Sequence, residues 1–118
     1  MVSVVVLLTG GCVWRNEPKT DARQTLQAVA LPDLSRLEES VQAQLRERFA
    51  ALTAKRNDPA TPAADLGKEY GEMGMLLMAA EFNDPAEASL LNAQALVPGV
   101  MRWPYYLGHL YRTKGDIA

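Results

Sequence analysis

The sequence predicts an all-α protein, and three observations carry the prediction. Apolar residues recur at three- and four-residue spacing over long stretches, the signature of one helical face. Prolines, glycines and short acidic residues bracket those stretches in the order that starts and stops helices. Strand-like patterning is confined to the first dozen residues. With 118 residues, 48% of them hydrophobic and 22% charged, the chain can build one small domain with a core of its own.

The first helical stripe is Leu34, Leu37, Val41, Leu45, Phe49 and Leu52. Ser35 and Glu38 have the spacing of a capping box, which places the helix start at Ser35, and "KRNDPATP" ends the helix. Glu38 and Glu39 are adjacent, so they point about 100° apart and form a solvated first turn rather than an acid–base pair. A second helix starts near Thr61 with Pro62 at its first position and runs through "AADLGKEYGEMGMLLMAAEF". Its glycines at 67, 71 and 74 each cost about 1 kcal/mol relative to alanine, which predicts that something packs close against that backbone. The third helix takes Asp84 as cap, Pro85 as first residue and Glu87 as the far side of a capping box, and Pro98-Gly99 stops it. The fourth starts at Pro104, carries Lys114 at its negative end, and closes on Gly115 as a left-handed cap.

Ahead of these helices stands "MVSVVVLLTGGC", an apolar run far short of the 20 or so residues a spanning helix needs. It fits the hydrophobic region of an export signal. With small residues leading into Cys12, it resembles the bacterial lipoprotein signal, in which that cysteine becomes the lipidated first residue of the mature chain. The pattern usually has leucine three residues before the cysteine; here Thr9 stands there and Leu8 one place earlier, and no Lys or Arg precedes the run. The resemblance implies lipidation at Cys12 and an exported protein, periplasmic or held at a membrane surface. A secretory signal cut elsewhere, or a buried strand, are the other readings of the same residues. Residues 13–33, punctuated by Pro18 and Pro32, read as a linker. The organisation is thus a signal-like segment over 1–12, a linker over 13–33, an N-terminal helix over 34–57, and helical repeats over 61–118.

Self-similarity organises the last of these. Gly108 lies 34 residues after Gly74, and the same offset sets Leu107 over Met73, Tyr111 over Leu77 and Gly115 over Glu81. Ala86, Leu90, Ala93 and Pro98 follow as small, large, small and terminating residues. Leu107-Gly108 with Tyr111 and Gly115, in register with that proline-ended helix, resembles the tetratricopeptide repeat family, over about residues 66–118. The first unit departs from the family pattern at Leu77 and Glu81, where tyrosine and glycine are usual. The resemblance implies antiparallel helix pairs stacked as a solenoid, with Gly108 allowing a neighbouring helix to approach. The chain stops after "GDIA", where the family would begin a second helix, so it reads as the front of a longer array or as a surface completed by a partner.

In the family, first helices line a concave face that binds protein segments. By position, that face would comprise Lys68, Gly71, Met75 and Met78, then Arg102, Tyr105, His109 and Arg112. Methionines make an adaptable apolar floor, and arginine and tyrosine commonly anchor interfaces. Other functions find little support. A net charge of -2, with 8 basic residues in 1–60 and 4 in 61–118, supplies no basic stripe for nucleic acid. Cys12 is the one cysteine and His109 the one histidine, so neither a disulfide nor a metal-ligand set is expected, and no cofactor motif occurs. His109 as a catalytic base would need a nucleophile or an orienting carboxylate, and nothing in the sequence points to either. The expected function is a non-catalytic protein–protein interaction scaffold of the bacterial envelope. The alternative is an adaptor or sensory region of a longer polypeptide with a catalytic domain beyond residue 118. An intact mass of the native protein, with fragment spectra of its N-terminus, should show acylated Cys12 as the first residue; an unmodified cysteine would remove the anchor.

Overall fold

A computed structural model describes residues 22–115. Cys12, the whole signal-like segment, the linker up to residue 21 and the last three residues lie outside the described residues. A 3-10 turn at Ala22–Thr25 is followed by four helices: α1 (Glu39–Asn57), α2 (Ala63–Ala79), α3 (Asn83–Leu96) and α4 (Arg102–Lys114). Among the described residues there is no strand, so this part of the chain is all-α as its periodicity predicts.

The helix starts differ from expectation: Pro62 precedes α2 as its cap instead of being its first residue, α4 starts at Arg102, two residues before Pro104, and the starts of α1 and α3 shift for local reasons. Ser35 is not a cap: its amide donates to the Asp33 carboxylate at 3.0 Å, and the Leu37 amide donates to the Leu34 carbonyl at 2.9 Å. That turn delays α1 to Glu39, with Glu38 before it and no side chain capping the end. Asp84 is likewise not the cap of α3, which starts one residue earlier; Pro85 still falls within the first turn, where its missing N–H is no loss. The carboxylates of Asp84 and Glu87 turn instead to Lys114 of α4.

The most extensive packing joins α2 to α3, and it answers the question of the glycines. A methyl group on Gly67 would stand 2.6 Å from Val97 and 3.3 Å from Leu96, and one on Gly74 would stand 2.7 Å from Leu90. Low numbers on one helix face high numbers on the other, so the pair is antiparallel. Gly71, between them, lies under the indole of Trp103, whose ring occupies the space a methyl would need. Leu66, Met73, Leu77, Ala86, Leu90, Ala93 and Leu110 are fully buried in the resulting core, joined by Leu45 and Leu52 from α1. The indole N–H of Trp103 is buried without an acceptor, a penalty of about 1–3 kcal/mol accepted for the ring's fit on Gly71.

α1 is fastened to α2 by charge as well as by its leucines. The Glu69 carboxylate, only 8% exposed as a residue, accepts from Arg48 and Lys55 at 3.2 Å each. A buried carboxylate with no cation would be strongly destabilising, and two partners on one α1 face remove that penalty. The turn from α2 to α3 passes through Glu81, whose φ of 68° is left-handed, and Gly115 after α4 has φ 78°. These two residues are 34 apart, and each follows the end of a helix.

Gly108 corrects an expectation. It is exposed, and a methyl built on it would meet nothing within 4 Å, because no helix among the described residues covers that side of α4. Gly71→Ala should therefore destabilise the fold by about 1–3 kcal/mol through overpacking, while Gly108→Ala should be neutral or stabilising by up to about 1 kcal/mol, as read by denaturant melts. Glu81→Gly should stabilise by about 1 kcal/mol, because it relieves the left-handed strain of a residue bearing a Cβ; an unchanged melting temperature would contradict that strain.

Candidate functional site

α2 and α4 run side by side in the same direction, each antiparallel to α3, and a groove of about 580 Å³ opens between them. Met75, Met78 and Ala79 line it from α2, Glu81 and Asn83 from the following turn, and Tyr106, His109 and Thr113 from α4. The parallel arrangement follows from the packing: Trp103 seats on Gly71 near the start of α4, and Lys114 at its end reaches back to Asp84 and Glu87.

Arg102 stands beside the groove, against Met75. Its Nη2 lies 3.4 Å from the Met75 sulfur and 3.9 Å from the Glu72 carboxylate, and its guanidinium carbon lies 4.8 Å from the Trp103 ring centroid. The contacts hold a half-exposed cation over the methionine floor with its charge only partly balanced. Glu81 and Asn83 line the groove beyond the end of α2. The Tyr106 ring meets Tyr105 edge-on, with centroids 5.4 Å apart.

Of the residues expected to bind a partner, Met75, Met78 and His109 share this lining, and Arg102 touches Met75. Lys68, Tyr105 and Arg112 are exposed but do not line the groove, and Tyr105 is 71% exposed. Gly71 is not a groove residue at all, since Trp103 covers it. Tyr106 and Thr113 also line the groove. The stripe 102, 106, 109 and 113 faces α2, whereas the repeat resemblance implies 102, 105, 109 and 112. The two stripes differ by less than one residue's angular step, which spacing alone does not resolve.

The repeat residues divide between the interior and an uncovered edge. Met73, Gly74, Leu77, Ala86, Leu90 and Ala93 lie in the α2–α3 interior, and Leu107 is buried beneath α4. Tyr111 is half-buried, and Pro98 is exposed just after α3. With Gly108, Leu107 and Tyr111 line a shallower groove of about 290 Å³ on the side of α4 away from α2, together with Leu91, Gln94 and Pro104. A third depression, of about 360 Å³, lies between α1 and α2 beside Arg48 and Leu76.

The Thr113 hydroxyl donates to the His109 carbonyl at 3.0 Å, so it does not form a nucleophile–base pair with the imidazole. Among the described residues no three His, Cys, Asp or Glu side chains converge on one metal position. No protein-family model matches the chain, and no curated protein or solved structure matches it significantly.

At the foot of the groove, the Lys114 ammonium bonds Glu87 at 2.9 Å and Asp84 at 3.1 Å. Those bonds raise the Lys114 pKa above its ordinary range, and the bonds from Lys114 and Tyr111 hold the Glu87 carboxyl below its ordinary value of 4.5. A depressed carboxyl contributes stability that is fully present above its ordinary value of 4.5 and is lost as pH falls below that through the lower value it has in the folded chain. The lysine's contribution is constant over the same range, because it titrates only on the alkaline side. Melting temperatures from about pH 6 to about pH 3 should fall less steeply in Lys114→Met than in the parent chain. Equal slopes would mean that Lys114 does not hold the end of α4.

Proposed function

We propose that this chain is a non-catalytic protein-interaction module, built from tetratricopeptide-like helix pairs, that binds a partner's peptide segment between α2 and α4. The observation that carries the reading is the groove itself. Two half-buried methionines form its floor, an aromatic ring and an imidazole form the facing wall, and Glu81 and Asn83 add polar groups to the lining. Methionine adapts its shape to apolar side chains, while Tyr106, His109 and Asn83 offer hydrogen bonds to a peptide main chain.

The family reading draws support from the 34-residue recurrence in the backbone, where Glu81 and Gly115 share one conformation, and from Gly74 packing against Leu90. Placement at the bacterial envelope, through a lipid on Cys12, rests on the signal-like segment alone. The second reading, an adaptor region of a longer polypeptide, is favoured by the open face at Gly108. Its counterparts 34 residues earlier, Tyr70, Met73, Gly74 and Leu77, are all buried within the helix packing.

The test is selection of binders from a random peptide library against the folded chain, followed by affinity measurement on variants. His109→Ala with Thr113→Arg changes two exposed groove residues and should leave the melting temperature nearly unchanged. It should weaken the selected peptides at least about tenfold, or about 1.4 kcal/mol, whereas Tyr105→Ala should not. Peptides indifferent to the double change but lost with Tyr105→Ala would move the site to the outer stripe of α4.

A further inference from the structure

Glu81 stands in a backbone conformation suited to glycine. Past the end of α2, the Phe82 amide donates to the Leu77 carbonyl and the Glu81 amide to the Met78 carbonyl, both at 2.9 Å. Two such bonds make the left-handed turn that closes many helices, and its pivot is ordinarily glycine because a Cβ crowds the neighbouring peptide there. The pivot here is Glu81, at φ 68°, whereas the turn after α4 has Gly115 at φ 78°.

Nothing within the fold compensates for that residue. Among the described residues the Glu81 carboxylate makes no ion pair and no hydrogen bond. No side chain caps α3, which begins two residues later. The end of α2 disfavours a carboxylate and the start of α3 favours it, so the two helix dipoles oppose each other at this point. Lys114 is bonded to Asp84 and Glu87 instead. Glu81 is thus exposed, strained and without a structural task.

Its one shared environment is the α2–α4 groove. There it brings the only carboxylate of the lining beside Met75, Met78, Tyr106 and His109. A backbone outlier that the fold does not need points to function. Arg102 stands against Met75, with the Glu72 carboxylate 3.9 Å away, and it repels a second cation there. A ligand cation is therefore favoured next to Glu81 and disfavoured next to Met75.

Resting on that groove as the peptide site, we propose that Glu81 makes it selective for basic segments. The bound segment lays an apolar side chain on Met75 and Met78 and gives a lysine or arginine side chain to the Glu81 carboxylate. Glycine at 81 would relieve the backbone and remove the discriminating charge, the opposition of stability and function common at binding sites. A charge-assisted bond at an exposed position adds modest affinity and acts mainly to choose between partners.

The test is a double-mutant cycle on the full chain. A random peptide library of about ten residues, N-acetylated so that no terminal ammonium competes, supplies binders that are lost on His109→Ala with Thr113→Arg. These should be enriched in Lys or Arg beside an apolar residue. For the tightest of them, replacing the basic residue by glutamine should weaken binding to the parent chain at least about threefold more than binding to Glu81→Gln, as read by fluorescence anisotropy. Glu81→Gly should melt higher than the parent chain and yet lose the same discrimination, which a purely structural Glu81 would not produce. Groove-bound peptides without basic residues, or a cycle showing no coupling, would overturn the selectivity and leave the groove standing as a peptide site. An absence of binders, or binders indifferent to the His109 and Thr113 changes, would overturn both.

Discussion

The close approach of the α2 backbone to its neighbours is the constraint on which the remaining geometry depends. Glycines at 67, 71 and 74 occupy one face of a helix, and that face receives Val97, Trp103 and Leu90 in turn. Side chains with a Cβ at these positions would push α3 outward and lift the indole from its seat. Because Trp103 is fixed on Gly71, the rotation of α4 is fixed too. That rotation carries Tyr106, His109 and Thr113 to the side facing Met75 and Met78, and it leaves Tyr105 and Gly108 turned away. The groove is a consequence of three absent side chains.

Charge does its work at the edges, where the apolar contacts thin out. Glu69 ties α1 to α2 through Arg48 and Lys55, and Lys114 ties the end of α4 to the start of α3 through Asp84 and Glu87. Carboxylates in the first turn of α3 would otherwise interact only with the helix dipole. Bonding to Lys114 uses the same negative charge to position a second helix, and it explains why the capping geometry read from local spacing does not form. The pair with exposed Asp84 is individually weak and acts on orientation more than on total stability, whereas the pairs to Glu69 keep a buried carboxylate from standing uncompensated.

A soft floor, an aromatic wall and exposed polar groups converge in the main groove. On α3, the Asn92 amide bonds the main chain of Gln27 at both of its ends. Under the proposed reading of the groove, selectivity is set by how the apolar positions of a bound segment are spaced.

The sequence by itself determined the all-α class of the described residues, the order of their four helices, and the close packing against Gly67, Gly71 and Gly74. Those properties depend on period, on stop signals and on the penalty of glycine in a helix, which are local. It also determined the equivalence of residues 81 and 115, though not that a glutamate would adopt the glycine's left-handed backbone. Only the tertiary structure decided which stripe of α4 faces α2, because the seat of Trp103 sets that rotation and no spacing rule reaches across two helices. It alone decided that Asp33 would claim the Ser35 amide, and that Asp84 and Glu87 would bond Lys114 in place of capping. It also decided the role of Asn92, which in a helical stripe looks like any half-favoured polar residue. The Asn92 amide acquires its meaning from a segment 65 residues away in the chain, and a pairing at that distance leaves no trace in local sequence.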